Sequence, residues 1–316
     1  MPDPVHTVIV PAYNAAGTIE QAVASVRAQT DPRFELIAVD DGSTDATPGL
    51  LRRMADEDQR IRVIRQDNAG PSAARETALG GASGTYLTFL DSDDLLMPSY
   101  LQAMAETLDR DAEIGLAHAR AWVLDEAAGA GRVRRAVWPP PGYVTGSEDD
   151  PADPVVALAS GNYVGAVQTA RRSAVERAGG LDAGLDQAED YDLWVRIAIA
   201  GFRIVSAPGT LVVMRNRAGS LSKDQLELAR GVRAVCERII SVYEVPDEAR
   251  AAARRQLERA NREIELQRGR APVGGALRRA RLALGRAKRR VLSKRLWYST
   301  PPPELAEAFP ELVRRT

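Results

Sequence analysis

The chain has few of the side chains on which many kinds of protein site depend. Its 316 residues include one cysteine, Cys236, and two histidines, His6 and His118. A single cysteine excludes a disulfide within the chain, so nothing ties folding to an oxidising compartment. Both histidines fall in apolar, strand-like segments, and we interpret them as structural. We therefore expect a function that needs neither a serine–histidine–aspartate set nor a reactive thiol.

Long apolar runs and a strong net charge are also missing. No apolar segment approaches the ~20 residues that a bilayer-spanning helix requires. The 42 basic and 43 acidic residues give a formal net charge of -1, which predicts no affinity for nucleic acid. The first residues lead directly into a strand-like segment, so we expect no signal peptide and a cytoplasmic location. A hydrophobic content of 45% is enough for a large buried core.

The first part of the chain alternates between β-prone segments and segments with helical periodicity. The predicted strands cover residues 6–10, 34–39, 61–64 and 85–90. The predicted helices between them cover residues 17–29, a segment around 50–54, and 73–79. Strand–helix units of this length predict right-handed crossovers and a mostly parallel sheet. In such sheets ligands bind beyond the carboxyl ends of the strands.

Carboxylates follow two of these predicted strands. Asp40 and Asp41 follow the second strand, and Asp91, Asp93 and Asp94 follow the fourth. In an extended backbone Asp91 and Asp93 lie on one side, where they could hold Mg²⁺ or Mn²⁺ and through it a diphosphate. The alternative is that Asp91 and Asp94 are only turn and helix-cap residues. This segment alone leaves both readings open.

Five segments in a fixed order resemble a known protein family. They are residues 8–14 (VIVPAYN), 35–45 (ELIAVDDGSTD), 68–75 (NAGPSAAR), 91–93 (DSD) and 189–194 (EDYDLW). Together they resemble the inverting glycosyltransferases of family 2, and five ordered matches are far more specific than one Asp-x-Asp. The resemblance implies an α/β fold of the glycosyltransferase A type, with a mostly parallel central sheet flanked by helices.

The resemblance also implies a binding site for a nucleoside diphosphate sugar. Pro11, Tyr13 and Asn14 would surround the nucleobase, with Tyr13 as a stacking surface. Asp41 would accept a hydrogen bond from an N–H of the base, while Asp40 supports the turn. The alternative for Tyr13 is a core aromatic residue at the end of a strand.

By the same resemblance, the acidic segment after the fourth strand would bind the metal and the sugar nucleotide. Asp93 would coordinate Mg²⁺ or Mn²⁺, and Asp91 would reach the ribose or a metal-bound water. Ser92 belongs to the same nucleotide-binding segment. Arg75 would lie near the base or the phosphates, where its guanidinium offers forked donors to oxygen atoms. The alternative for Arg75 is a solvated residue on a helix surface.

Glu189 and Asp190 open a predicted helix over residues 187–200. In the resembled family, the residue matching Asp190 takes the proton from the acceptor hydroxyl as that hydroxyl attacks the anomeric carbon. Inversion needs one such base, whereas retention by double displacement needs a separate nucleophile. Glu189 would hold the acceptor or orient a neighbour. The alternative is a pair of acidic residues that the helix dipole favours in a first turn.

Two arginines lie in a predicted polar loop over residues 213–222, after a predicted edge strand at 201–205. Many family members carry a histidine beside an arginine here, and this chain has Arg215 and Arg217 instead. The loop could act as a lid whose guanidinium groups contact phosphate. Ordinary surface arginines are the alternative.

Basic residues accumulate near the end of the chain. They are Arg278, Arg279, Arg281, Arg286, Lys288, Arg289, Arg290, Lys294 and Arg295. With the interleaved apolar residues they predict a basic amphipathic helix, which could contact anionic membrane lipid, dock on protein, or simply be solvated. We predict a catalytic domain at residues 1–222 and a helical, basic extension at 223–316, with two helices broken at residues 245–247.

The sequence thus favours metal-dependent, inverting transfer of a sugar from a nucleoside diphosphate sugar to a sugar or lipid-linked hydroxyl acceptor. Assembly of surface polysaccharide or glycolipid is the expected setting, with the enzyme in the cytoplasm or at the inner face of the cell membrane. The first strand leads into Pro-Ala-Tyr-Asn, which disfavours a dinucleotide enzyme with a Gly-x-Gly-x-x-Gly turn. The remaining alternative is a non-catalytic, nucleotide-binding scaffold.

Overall fold

The structure is a computed structural model that describes most of the chain. The described residues are 4–126, 132–135, 151–164, 167–182, 184–185, 187–217, 224–268, 297–298 and 302–310. The predicted basic helix at the end of the chain lies mostly outside these ranges.

Strand and helix alternate in the first part of the chain, as predicted. The strands are β1 (His6–Ala12), β2 (Phe34–Asp41), β3 (Ile61–Gln66) and β4 (Tyr86–Phe89). The helices between them are α1 (Ile19–Arg27), α2 (Thr47–Glu57) and α3 (Gly70–Gly81). The predicted ends differ by a few residues, and β2 runs on to include Asp40 and Asp41, which the sequence placed beyond it.

The remaining elements mix short strands with helices. In chain order they are β5 (Leu95–Leu96), α4 (Tyr100–Asp109), β6 (Ile114–Asp125), β7 (Arg132–Arg135), α5 (Pro154–Ser160), β8 (Gln168–Arg171), α6 (Arg172–Arg177), α7 (Glu189–Ile199), β9 (Arg203–Asn216), α8 (Gln225–Ser241), α9 (Asp247–Gln267), β10 (Trp297–Tyr298) and α10 (Pro303–Ala308).

One sheet runs through the described part of the molecule in the order β10-β7-β6-β8-β4-β1-β2-β3. β1 pairs in parallel with both β2 and β4, and β2 pairs in parallel with β3. The antiparallel β8 joins β4 to β6, and β9 runs parallel to β6. Because β2 and β4 flank β1 on opposite sides, their crossovers open a crevice at the carboxyl ends of these strands.

Apolar side chains cover both faces of the central strands, as expected for a buried parallel sheet. On β1, Val8 and Val10 face a cluster that includes α1, α2 and α4, while Ile9 faces a second cluster that includes α3, α5 and α7. The strand period of two residues therefore divides β1 between two apolar layers. The predicted α/β fold is confirmed.

The predicted edge strand at residues 201–205 is the start of β9, where β6 is the ladder partner among the described residues. The predicted lid loop is wrong up to Asn216, and its residues 218–222 lie outside the described ranges. β9 is a long strand that lies between β6 and the two-residue β5, and it extends through Asn216. Arg215 is therefore part of a strand, and Arg217 directly follows it. Pairing with β6 and β5 satisfies backbone groups that a loop would expose, which overrides the polar sequence.

The two helices predicted after residue 222 are present and are interrupted between Ser241 and Asp247. Their apolar faces share a cluster with α5 and α7, through residues such as Val235 and Ala252. Among the described helices, none combines the length and the apolar composition that a membrane crossing requires.

Candidate active site

The acidic segment after β4 forms a tight turn. The backbone N–H of Asp94 donates to the carbonyl oxygen of Asp91 at 3.1 Å, and β4 ends at Phe89. The predicted extended alternation of Asp91 and Asp93 is therefore wrong, because a run of aspartate and serine favours a turn over a strand. The turn leaves Asp91 exposed and Asp93 half-buried, and it buries Asp94.

Asp94 anchors this turn to β9. Its carboxylate accepts a hydrogen bond from the backbone N–H of Arg215 at 3.0 Å. Burial raises the pKa of Asp94 well above its ordinary value, and the charges of Asp91 and Asp93 act in the same direction. The helix-cap alternative for Asp94 is wrong, since α4 begins only at Tyr100.

Asp93 carries a carboxylate that fits a cation. Burial raises its pKa, the charge of Asp91 raises it further, and the charges of Arg217 and Arg215 oppose the shift. A cation beside Asp93 and Asp91 would relieve this repulsion. In the described part of the chain, no three histidine, cysteine, aspartate or glutamate side chains form a complete metal cage. Such a site therefore suits Mg²⁺ or Mn²⁺ that takes further ligands from a bound phosphate and from water.

Asp41 holds the start of α3. Its carboxylate accepts from the backbone N–H groups of Ala69 at 2.9 Å and Gly70 at 2.8 Å, and from the Gln66 amide at 2.8 Å. These backbone donors have no partner within the helix, and a carboxylate there is also favoured by the helix dipole. Asp41 thus fixes the helix that carries Arg75.

Arg75 links two acidic segments that lie far apart in the sequence. Its guanidinium donates to Asp91 at 2.6 Å and also to Glu189. The Arg75 side chain is only 14% exposed, so the alternative of a solvated surface arginine is wrong. Opposing its burial, the charges of Asp91, Glu189 and Asp190 raise the Arg75 pKa, and the group stays charged.

The acidic pair opens α7, as the sequence predicts. Glu189 is buried and is the first residue of the helix, and Asp190 is half-buried. Burial raises the pKa of Glu189, the charge of Asp190 adds to this, and Arg75 opposes it. Burial also raises the pKa of Asp190, again against Arg75. A carboxylate with a raised pKa is a better proton acceptor than an ordinary aspartate.

A cleft of about 350 Å³, including its open mouth, brings these groups together. Its lining comprises Arg75, Phe89, Asp91, Gln168, Leu181, Asp190 and Trp194. The resemblance predicts that Asp41, Asp93 and Asp190 must open onto one cavity, but of these three only Asp190 lines this cleft. Asp41 instead holds the start of α3, the helix that carries Arg75. Asp93 lies two residues after Asp91 in the turn.

The segment predicted to surround a nucleobase lies at the end of β1. Pro11 is buried in the strand, whereas the Tyr13 side chain is exposed, so the core-aromatic alternative for Tyr13 is wrong. Asn14 adopts a positive φ of 48°. Its side-chain oxygen accepts from the backbone N–H of Thr44 at 2.9 Å, and its own N–H donates to the Ser43 hydroxyl at 3.0 Å. The loops after β1 and β2 are thereby joined at the residue that follows the exposed Tyr13.

The two arginines near the end of β9 differ in their surroundings. Arg215 is buried and donates to Glu126 at 3.1 Å and to Gln21, and burial lowers its pKa. Arg217 is 40% exposed and lies 3.6 Å from Glu126. Of the two, Arg217 has the more accessible guanidinium, so phosphate contact remains a prediction that fits Arg217 better than Arg215.

Sequence reasoning missed the role of Asp192. Its fully buried carboxylate accepts from Arg196 at 2.8 Å and from the Tyr243 hydroxyl at 2.6 Å, and it lies 3.3 Å from Arg238. These contacts fix α7 against α8, directly behind Glu189 and Asp190. The only available signal was a charged residue on the apolar side of the predicted helix.

The sequence matches the family described as Glycosyl transferase family 2 over residues 7–175. A curated relative is the succinoglycan biosynthesis protein ExoO of Rhizobium meliloti (strain 1021). It is 43% identical over 104 residues, which are 33% of this chain and 29% of that protein. The chain spans less than half of the length of the curated relatives that it matches, from 14% to 41%.

Two solved structures have a similar fold. The S. aureus protein TarS, residues 1–349, in complex with UDP-GlcNAc gives a TM-score of 0.63 at 20% identity and covers 82% of this chain and 72% of its own. The mannosyltransferase PcManGT from Pyrobaculum calidifontis, in complex with GDP-Man and Mn²⁺, gives a TM-score of 0.60 at 22% identity and covers 90% and 80%. At these identities the likeness establishes the fold.

Proposed function

The chain belongs to glycosyl transferase family 2, and from this premise we propose that it transfers a sugar from a nucleoside diphosphate sugar to a hydroxyl acceptor with inversion at the anomeric carbon. The observation that carries the proposal is the convergence of Asp91, Arg75 and Asp190 on one cleft. These residues come from three separate elements, and the cleft contains both a candidate base and groups suited to a charged leaving group.

Asp190 is the proposed general base. It removes the proton from the acceptor hydroxyl while that oxygen attacks the anomeric carbon. The bond from the anomeric carbon to the β-phosphate oxygen breaks with its electron pair, and the nucleoside diphosphate leaves on the opposite face. The half-burial of Asp190 and its raised pKa support this role. Glu189, fixed by Arg75, keeps the start of α7 in place for this step.

Asp93 and Asp91 are the proposed ligands for Mg²⁺ or Mn²⁺. When bound, the cation would neutralise charge on the departing diphosphate. The cluster of carboxylates around Asp93 supports such a site, and the PcManGT structure contains Mn²⁺. Ser92 lies within the same turn, and Arg217 is the proposed phosphate contact at its margin.

The nucleobase is proposed to stack on Tyr13, between Pro11 and Asn14. Exposure of this ring at the edge of the crevice supports the assignment. Asp41 keeps its proposed contact to the base, although each of its oxygens already accepts from the protein. A carboxylate oxygen accepts two hydrogen bonds, so one site on the oxygen facing Gly70 is left for the base.

The setting that we propose is polysaccharide or glycolipid assembly at the cytoplasmic face of a membrane. The name of the relative ExoO supports polysaccharide synthesis, and the bound ligands of TarS and PcManGT support a UDP- or GDP-linked donor. Residues 278–295 are proposed to contact anionic lipid through their basic side chains.

Release of nucleoside diphosphate from a panel of sugar nucleotides with Mn²⁺ tests the function. Asp190→Asn should abolish transfer and keep nucleotide binding, whereas Asp93→Ala should abolish the metal-dependent part of that binding. The matched control is Asp56→Asn, because Asp56 is an exposed carboxylate on α2. If wild type and Asp190→Asn both bind nucleotide and neither turns over any donor, the scaffold alternative is the correct one.

A further inference from the structure

A third apolar cluster lies apart from the two main layers of the sheet. It includes Leu305 and Phe309 from the C-terminal segment, with Ala308 packed against it. The strand-side members are Leu95, Met97, Trp122, Leu124 and Val213. Leu305 is 1% exposed and Phe309 is 7% exposed, so α10 buries its apolar face on the strands β5, β6 and β9.

The strand side of this cluster continues directly from the acidic turn. Leu95 follows Asp94, and it pairs with Val213 across the β5–β9 ladder. Two residues beyond Val213, the backbone of Arg215 donates to the Asp94 carboxylate. Leu95 and Val213, which belong to the cluster with Leu305, are therefore one and two residues away from Asp94 and Arg215, the pair that holds the end of the turn.

β5 has little support of its own. It contains two residues and makes two ladder pairs with β9. Successive residues of a strand face opposite sides, and accordingly Leu96 packs into the layer of α1 and α4 while Leu95 packs under α10. Met97 also packs under α10, and its N–H donates to the Leu211 carbonyl at 2.8 Å. In the described structure Leu305 of α10 and Phe309 just after it thus share one apolar cluster with this face of β5.

We propose that α10 is a positioning element for the acidic turn, acting through Leu305 and Phe309 on β5 and so on the placement of Asp91 and Asp93. The effect on metal and nucleotide rests on the function proposed above. The effect on the position of residues 91–97 does not rest on that function, because it concerns only how the C-terminal segment packs against these residues. Outer contacts of this kind orient the ligands of a metal site, and their loss typically weakens metal affinity.

The experiment compares full-length Leu305→Ala and Phe309→Ala with Glu307→Ala, which alters an exposed residue of the same helix. Hydrogen–deuterium exchange is measured at residues 91–97 and, as an internal reference, at residues 36–41 of β2. We expect faster exchange at 91–97 in the two core variants, unchanged exchange at 36–41, and wild-type behaviour in Glu307→Ala. Leu305→Met should restore slow exchange, because it restores the apolar volume.

The second measurement is calorimetric affinity for UDP or GDP, whichever wild type binds, with Mn²⁺ and well below the melting temperature of each variant. We expect Leu305→Ala and Phe309→Ala to weaken metal-dependent affinity about 10-fold or more. Their affinity without metal should change much less.

A purely structural role for α10 predicts a lower melting temperature with unchanged exchange at 91–97 and unchanged affinity, and that result would overturn the proposal. Faster exchange that spreads equally to residues 36–41 would also overturn it, because the effect would then be global. If wild type binds neither nucleotide, the proposed function fails, and the exchange data still decide whether α10 positions the turn.

Discussion

At the scale of single residues, Arg75 is the cation that links the two acidic segments of the candidate site. One guanidinium faces Asp91 and Glu189, and Asp190 is close enough to affect its pKa. Three carboxylates around one cation leave an excess of negative charge. Burial, together with that excess, explains why the pKa values of Glu189 and Asp190 are raised instead of lowered. A diphosphate in the cleft would increase this excess further, which is one reason to expect a metal ion with it.

Replacing Arg75 tests this arrangement. Arg75→Met should lower the free energy of unfolding by about 3 kcal/mol, since it leaves the buried Glu189 without its partner. It should also raise the pKa of Glu189, because Arg75 opposes that rise. Arg75→Lys should recover only part of the loss, since an ammonium cannot reach both carboxylates with a planar fork. Urea denaturation measures the stability, with Arg52→Met on the exposed side of α2 as the control; equal midpoints for Arg75→Met and wild type would contradict the prediction.

His6 is a second residue whose environment has a measurable consequence. It is fully buried in β1 beside Tyr86. Burial lowers its pKa from 6.5 to about 4, against the charges of Asp31 and Asp109. Between these two pH values the unfolded chain binds a proton that the folded protein excludes. Stability therefore falls as the pH falls from about 6.5 to about 4.

The contribution of His6 to this pH dependence is roughly 3 kcal/mol at pH 4, from the size of the pKa shift. His6→Phe removes the titrating group and should flatten the dependence of melting temperature on pH in that window. Because the comparison is between the slopes of melting temperature against pH, a change in stability from altered packing that is the same at every pH cancels. A slope identical to that of wild type would show that other groups cause the acid sensitivity.

At the scale of elements, the start of α7 depends on close contact with α8. Ala188, which precedes Glu189, adopts a positive φ of 65°, a conformation that costs a non-glycine residue roughly 1–2 kcal/mol. Gly231 of α8 lies against it, and a Cβ at Gly231 would come within 2.8 Å of the Gln187 carbonyl oxygen and 3.0 Å of the Ala188 Cβ. The absence of a side chain at residue 231 therefore lets the two helices approach.

Gly231→Ala should accordingly destabilise the protein by about 1–3 kcal/mol through overpacking. It should also reduce sugar transfer, because the displaced backbone carries Glu189 and Asp190. The control is Gly49→Ala on α2, where a Cβ meets nothing within 4 Å and a gain of about 0.5–1 kcal/mol is expected. Thermal unfolding and turnover of the donor measure both effects. If Gly231→Ala is destabilised but fully active, the contact between α7 and α8 does not affect the reaction, and the prediction is wrong.

At the scale of the whole molecule, α8 and α9 pack in the same apolar core as α5 and α7. Val235, Ile239 and Ala252 belong to the same cluster as Leu193 and Trp194 of α7. The Asp192 carboxylate adds polar contacts to Tyr243 and Arg238. The predicted domain boundary at residue 222 is based on a change in composition. The residues on its two sides, however, pack into one apolar core.

A chain that ends at residue 222 tests that division. Without α8 and α9, the apolar surface of α5 and α7 would face water, and Asp192 would lose two partners. We expect this chain to unfold without a cooperative transition or to aggregate. Circular dichroism on heating distinguishes the outcomes. A cooperative transition near that of the full chain would support residues 1–222 as an independent domain.

The proposed contact with membrane is tested by a second variant. Replacing Arg278, Arg279, Arg281, Lys288, Arg289 and Arg290 by glutamine keeps α10 and removes most of the basic charge. Flotation with vesicles that contain anionic lipid should then decrease, and flotation of wild type should decrease with added salt. Equal flotation of both proteins would remove the membrane proposal.

The sequence by itself determined the alternation of strands and helices, the interruption between α8 and α9, and the acidic residues that open α7. These follow from local periodicity and local turn chemistry, which act over a few residues. It also determined the family, because five short segments occur in a fixed order. At the acidic turn, local turn chemistry outweighed the strand pattern and ended β4 early. Local rules failed at β9, where pairing with β6 overrode a polar sequence.

Only the tertiary structure decided which charges meet. Arg75 pairs with Glu189, Asp94 with the backbone of Arg215, and α10 with β5, and each pairing joins residues far apart along the chain. No local pattern encodes such pairings. They depend on how crossovers bring strand ends together and on where a buried charge finds a partner, and both are properties of the folded chain.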